Sequence, residues 1–131
     1  MDKKKIFIVE DDKAALESLK KLLLMSGFAV DGSLESKEAV GKIQSFAPNL
    51  ILLDLLMPNL GGMEIAQMLY ENPETRGIPI IITSALGGYN DIKKAYKTGV
   101  VGYFTKPYDY EKLLREINKF IEYKKNDKTD S

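Results

Sequence analysis

At 131 residues, with 44% hydrophobic and 29% charged side chains, the chain has the length and make-up of one globular domain able to bury most of its apolar surface. Its 19 basic residues balance 19 acidic ones, so bulk attraction gives no reason to expect binding to nucleic acid or to a membrane surface. Cysteine and histidine are both absent, which excludes disulfides, thiol catalysis, Ser-His-Asp triads and histidine-ligated zinc. The start, Met1-Asp2-Lys3-Lys4-Lys5, leads into an apolar run of only Ile6 to Val9, shorter than a signal peptide requires. No stretch reaches membrane-spanning length, and a cytoplasmic location is expected.

Taken in order, Ile6-Phe7-Ile8-Val9 reads as a buried strand that stops at Glu10-Asp11-Asp12. Ala15, Leu16, Leu19, Leu22 and Leu23 then recur at helical spacing, with Asp11 or Asp12 as cap and Ser26-Gly27 as terminator. Phe28 to Val30 predicts a short second strand. Ser33 or Ser36 offers an N-cap for a helix with Ala39, Val40, Ile43 and Phe46 inward, stopped by Pro48. The run Leu50 to Leu53 is a third strand, apolar on both faces, ending at Asp54 and followed by Leu55-Leu56-Met57-Pro58. After Gly61-Gly62, Met63 to Tyr70 predicts a helix with Ile65, Met68 and Leu69 inward, broken at Asn72-Pro73.

Ile78 to Thr83 is the fourth strand, followed by a loop from Ser84 to Gly88. A fourth helix from about Asn90 to Lys97 is weakly amphipathic, its apolar positions being Ile92, Ala95 and Tyr96. Val100 to Phe104 is the fifth strand, ended by Thr105-Lys106-Pro107. Tyr110 to Tyr123 is a last amphipathic helix with Leu113, Leu114, Ile117 and Ile121 inward. A polar tail over 124–131 is expected to be disordered.

Five strands alternating with five helices predict an α/β fold: a single doubly wound, five-stranded parallel sheet in the order 2-1-3-4-5. In that order the first and third strands are neighbours, so Glu10, Asp11 and Asp54 converge although they are far apart in sequence. Ser84 and Lys106 end the fourth and fifth strands and face the same crevice.

Carboxylates about 5 Å apart repel by about 3 kcal/mol per pair at an effective dielectric near 20. Such a site either raises a pKa or binds a cation, and an all-oxygen set suits magnesium. Lys106 adds a point charge and Ser84 a hydroxyl, both suited to phosphoryl oxygens. A carboxylate in that setting can attack phosphorus and become an aspartyl-phosphate. Each residue has a duller reading by itself: Glu10 to Asp12 as helix caps, Ser84 as a cap, Lys106 as a solvated surface lysine. Their coincidence at four strand ends on one sheet edge favours the chemical reading.

The motifs Ile-Val-Glu10-Asp11-Asp12, Asp54-Leu-Leu-Met57-Pro58 with Gly62 beyond, Thr83-Ser84-Ala85, and Gly102-Tyr103 with Lys106-Pro107 make the chain resemble a response-regulator receiver domain, over about 4–123. That resemblance implies the flavodoxin-like (βα)5 fold of two-component signalling proteins. It implies that Asp54 accepts a phosphoryl group from a histidine of a sensor kinase or phosphotransfer protein. It further implies Mg2+ held by Asp11, Asp54 and the Leu56 backbone carbonyl, with Glu10 acting through water. Ser84 matches the switch hydroxyl and Tyr103 the aromatic that turns inward with it, so the surface of the fourth helix, fifth strand and fifth helix would signal to a downstream protein target. Leu56 and Leu86 occupy the two positions that tune phosphate lifetime in the family; neither can position water, and slow self-dephosphorylation is expected.

On this reading the domain is no enzyme beyond its own phosphorylation and dephosphorylation, and it contacts neither nucleic acid nor membrane directly. An aspartyl-phosphate phosphatase would need a second Asp where Leu56 stands. A flavin-binding module would need a phosphate loop where Glu10-Asp11-Asp12 would repel phosphate. The remaining alternative is a pseudo-receiver that acts only as an interaction module, against which the full acidic, hydroxyl and lysine set speaks.

Overall fold

The computed structural model describes residues 2–58 and 60–122, together with the backbone of 123–130. The strands are β1 (Lys5–Val9), β2 (Ala29–Ser33), β3 (Leu50–Leu53), β4 (Ile80–Ser84) and β5 (Gly102–Thr105). Between and after them run the helices α1 (Lys13–Met25), α2 (Ser36–Phe46), α3 (Gly62–Glu71), α4 (Tyr89–Lys97) and α5 (Tyr110–Asp130). The sequence predicts that the last helix ends at Tyr123, but α5 continues to Asp130, into the stretch 124–131 expected as a disordered tail; the side chains of 123–130 and all of Ser131 lie outside the described residues. All pairings are parallel, in the order β2-β1-β3-β4-β5. Among the described residues no helix is long and apolar enough to cross a membrane.

Strand alternation divides the apolar residues between two cores. Phe7, Val9, Ile51, Leu53 and Ile82 pack with Ala39 and Ile43 of α2, with Ile65, Ala66 and Leu69 of α3, and with Ala95 of α4. Ile6, Ile8, Leu50, Leu52 and Ile81 face the other way, onto Leu19 and Leu23 of α1 and Leu113, Ile117 and Ile121 of α5. Because β1 and β3 are covered on both faces, they read as unbroken apolar runs. The strand order reverses direction at β1, which leaves the C-terminal edge of β1 and β3 open between the helix layers.

Several local expectations are corrected. β2 runs three residues further than Val30, because Asp31, Gly32 and Ser33 pair with Phe7, Ile8 and Val9; tertiary pairing overrides their poor strand propensity. Phe28 is buried just before β2 rather than in it. Neither serine caps α2: its N-cap is Glu35, which makes no side-chain capping bond. On α3, Met68 is exposed and Ala66 takes the inward place, and on α1 Leu22 is exposed. β4 starts after Pro79, at Ile80, and includes Ser84, whereas β5 starts at Gly102, where pairing with Ile81 begins. α1 is capped by Asp12, whose Oδ1 accepts the Ala14 and Ala15 amides at 3.0 and 3.3 Å, and ends before Gly27, whose φ is +98°.

Candidate functional site

The sheet ladders continue one residue past the strand ends, and this delivers the polar residues. Val9 lies opposite both Ser33 and Leu53, and Ser84 lies opposite Thr105. The Glu10 amide donates to the Ser33 carbonyl (3.1 Å), the Asp54 amide to the Val9 carbonyl (3.0 Å) and the Lys106 amide to the Ser84 carbonyl (2.7 Å). Glu10, Asp54 and Lys106 are thus fixed by backbone bonds from the strands beside them. The Lys106–Pro107 peptide is cis.

The side chains of these residues meet. One carboxylate oxygen each from Glu10, Asp11 and Asp54 lies within 4.8 Å of the others. Lys106 Nζ donates to Glu10 Oε1 at 2.5 Å and to Asp54 Oδ2 at 3.1 Å. The other Asp54 oxygen, Oδ1, accepts the Leu56 amide at 3.0 Å, and Glu10 Oε2 accepts the Asp12 amide at 3.2 Å. Glu10 and Asp54 are buried at 5% and 4% exposure, whereas Asp11 is open to solvent. Burial pushes the Glu10 carboxyl above its usual range, against the opposing pull of Lys106. For Lys106, burial would lower the pKa, but its bonds to Glu10 and Asp54 outweigh that and raise it, so the ammonium stays charged.

Ser84 and Tyr103 meet at Leu86. Ser84 is fully buried and its Oγ accepts the Leu86 amide at 3.2 Å, while the Tyr103 hydroxyl donates to the Leu86 carbonyl. Among the described residues no hydrogen bond joins Ser84 to Asp54. Tyr103 is half-buried against the core that contains Leu53 and Ala95, so its ring is already turned inward here. Leu56 is 46% exposed, and Leu86 packs partly into the core.

A hard divalent cation fits this oxygen set. Carboxylate oxygens within 4.8 Å of one another are near enough to share one ion, directly or through its bound water. Lys106 neutralises part of the negative charge, and a cation would offset the rest.

A profile described as the response regulator receiver domain matches residues 6–118. The chain belongs to that family. Among curated relatives of this receiver domain, the phosphate regulon transcriptional regulatory protein PhoB of Rhizobium meliloti is 32% identical over 117 residues, covering 89% of this chain and 52% of PhoB. The DNA-binding dual master transcriptional regulator RpaA of Synechocystis is 29% identical, covering 89% of this chain and 48% of RpaA. The chain spans about half the length of the curated relatives it matches. A CheY-like receiver domain protein from Methanospirillum hungatei superposes with a TM-score of 0.89 at 25% identity, covering 96% of this chain and 99% of that one. A two-component response regulator from Clostridium difficile gives 0.85 at 26% identity, covering 91% and 96%. The receiver domain is a signalling domain of phosphorelay systems, and its fold is the one expected from the sequence.

The site residues that sequence reading singled out are therefore distributed between two clusters. Glu10, Asp11, Asp54 and Lys106 form the acidic crevice, with Leu56 joined to it through its amide. Ser84 and Tyr103 form a second cluster about Leu86. The Leu86 backbone as the shared partner had no signal in the sequence, because any residue supplies the same amide and carbonyl. The same holds for the partners of Ser33, which bonds the Glu35 backbone just ahead of α2, and of Ser36, the first residue of α2, whose hydroxyl serves the segment after β3.

Proposed function

We propose that Asp54 is the phosphoacceptor of this receiver domain. The observation that carries the proposal is the convergence of Glu10, Asp11 and Asp54 with Lys106 Nζ bonded to two of the three carboxylates. One Asp54 oxygen attacks phosphorus of a phosphohistidine on a sensor histidine kinase or phosphotransfer protein. The O–P bond forms as the P–N bond breaks, and the imidazole leaves with the electron pair and takes a proton from solvent. The donor histidine must be the partner's, since this chain has none.

Lys106 sits where it can follow the charge from the carboxylate to the new phosphoryl oxygens. The Leu56 amide holds Asp54 Oδ1 and so orients the nucleophile. Asp11, Asp54 and the Leu56 carbonyl are the proposed ligands of Mg2+, with Glu10 acting through water; the ion supplies charge neutralisation at the phosphoryl oxygens. Ser84 has no exposed surface, so its hydroxyl reaches a phosphoryl oxygen only when the segment after β4 shifts. That shift, coupled to Tyr103 through Leu86, is the proposed switch of the α4, β5 and α5 surface toward a downstream protein target. The balanced charge gives no basis for direct nucleic-acid binding by this domain, and we place its action in the cytoplasm. Its only chemistry is its own phosphorylation and slow dephosphorylation.

The test is incubation with Mg2+ and a small-molecule phosphodonor, followed by intact-mass measurement. One phosphoryl group should be added to the wild type and none to Asp54→Asn or to metal-stripped protein. A wild type that takes up no phosphoryl group would leave only an interaction module.

A further inference from the structure

Two buried serines lie outside the acidic crevice yet are hydrogen-bonded through to it. The Ser33 carbonyl accepts the Glu10 amide at 3.1 Å. The Ser33 hydroxyl donates to the Glu35 carbonyl at 2.9 Å and accepts the Glu35 amide at 3.2 Å, which fixes the entry to α2. Ser36, at 2% exposure, then donates to the Pro58 carbonyl at 3.1 Å and accepts the Leu60 amide at 3.2 Å. The donor and one acceptor site of the Ser36 hydroxyl thus go to the β3–α3 loop.

That loop is anchored at its two ends against Asp54. At the near end, the Leu56 amide bonds Asp54 Oδ1. At the far end, the Gly62 amide bonds the Leu55 carbonyl at 3.2 Å, and the Gly62 backbone lies so close that a Cβ there would sit 2.4 Å from the Asp54 carbonyl oxygen. Between the ends, among the described residues, Ser36 of α2 bonds the loop at Pro58 and at Leu60. We infer that Ser36 is a positioning residue for the phosphoacceptor: by holding Pro58 and Leu60 it fixes the segment after β3, so that the Leu56 amide keeps Asp54 oriented. The inference rests on the phosphoacceptor reading above and adds to it a residue from α2 that touches neither the metal nor the phosphoryl group.

Ser36→Ala tests it, with Thr75→Val as the control. Thr75 is equally buried and its hydroxyl donates to the Leu69 carbonyl at 2.6 Å, so the control also removes a buried hydroxyl bond, but in the α3–β4 connection. In Ser36→Ala the Mg2+ dissociation constant of unphosphorylated protein, measured by calorimetry, should rise about tenfold, as for other groups that orient a ligand from behind. Exchange of the Leu56 amide in metal-free protein should speed up, and phosphorylation at saturating Mg2+ should slow. Thr75→Val should lower the melting temperature and leave all three unchanged. Unchanged Mg2+ affinity and Leu56 exchange in folded Ser36→Ala, or equal changes in Thr75→Val, would overturn the inference. Should Ser36→Ala not fold, the wild type decides: a protected Leu60 amide supports the grip and an unprotected one removes it. Failure of the wild type to take up a phosphoryl group is a separate result and strikes the phosphoacceptor reading itself.

Discussion

Asp11 is the exposed member of the three carboxylates, and Lys106 pairs with Glu10 and Asp54 but not with it. Its charge is therefore held close to two others without a cation bonded directly to it among the described residues. Asp11→Asn should stabilise the metal-free protein by up to about 1 kcal/mol, since exposure screens most of the repulsion. Mg2+ should raise the melting temperature of the wild type, and the same substitution should abolish most of that rise, because stabilisation by a ligand follows its affinity for the folded state. Thermal melts with and without Mg2+ check both signs. Leu56 is the other informative residue at this scale: its amide is committed to Asp54 while its side chain is half-exposed next to the proposed phosphoryl position. An apolar side chain there can exclude water but cannot orient it. Leu56→Asn should shorten the lifetime of the phosphorylated protein severalfold, followed by mass or by radiolabel loss. A half-life of seconds in the wild type, unchanged in the variant, would count against shielding. Asp11 could be picked out from its chemistry in the sequence and Leu56 from the resemblance to receiver domains; Ser36 could not, because a serine near a helix start reads first as a cap.

Among the helices, α4 buries the fewest described side chains. Its buried side chain is Ala95, while Tyr89 and Tyr96 are 77% and 48% exposed and Lys93 lies over the Tyr89 ring at 5.9 Å. The segment leading into it is tied by the Leu86 backbone to Ser84 on one side and Tyr103 on the other. A beryllofluoride or phosphoryl adduct at Asp54 should therefore change amide exchange in 84–97 while leaving β1 and β3 unaffected. No change over 89–97 would argue against a switch in this region. The end of α2 holds a strained residue: Ala47 has φ +52°, just before Pro48. The left-handed region costs a non-glycine residue about 1 kcal/mol, and glycine's larger unfolded-state freedom returns about half of that. Ala47→Gly should then raise stability by about 0.5 kcal/mol, seen as a small increase in denaturant midpoint at unchanged slope. Element positions were legible where the apolar pattern was strong, as in the unbroken runs of β1 and β3 and the helical spacing of α5. Boundaries shifted where a neighbour decided them, as in β2, whose Asp31-Gly32-Ser33 end is a strand only because β1 offers it partners.

For the molecule as a whole, two cores of opposite facing clamp β1 and β3, and the crevice lies where their covering helices part. Glu10 and Asp54 need not be near each other for any local reason. They are adjacent because Val9 and Leu53 are paired in the sheet and the ladder continues one residue beyond them. A rigid floor of buried strands under charged residues is what allows repelling carboxylates to be held together at a cost the cores can bear.

By itself the sequence determined which segments are strands and helices, the parallel order of the sheet, and that Glu10, Asp11, Asp54, Ser84 and Lys106 end at one edge. These follow from periodicity, handedness and residue chemistry, which are properties of short stretches and of chain order. The tertiary structure decided the partners: Lys106 between Glu10 and Asp54, Ser84 and Tyr103 both on Leu86, and Ser36 on the loop behind Asp54. A hydrogen bond depends on distances of a few tenths of an ångström between atoms remote in sequence, many of them backbone atoms that every residue shares. Only the packed fold sets those distances.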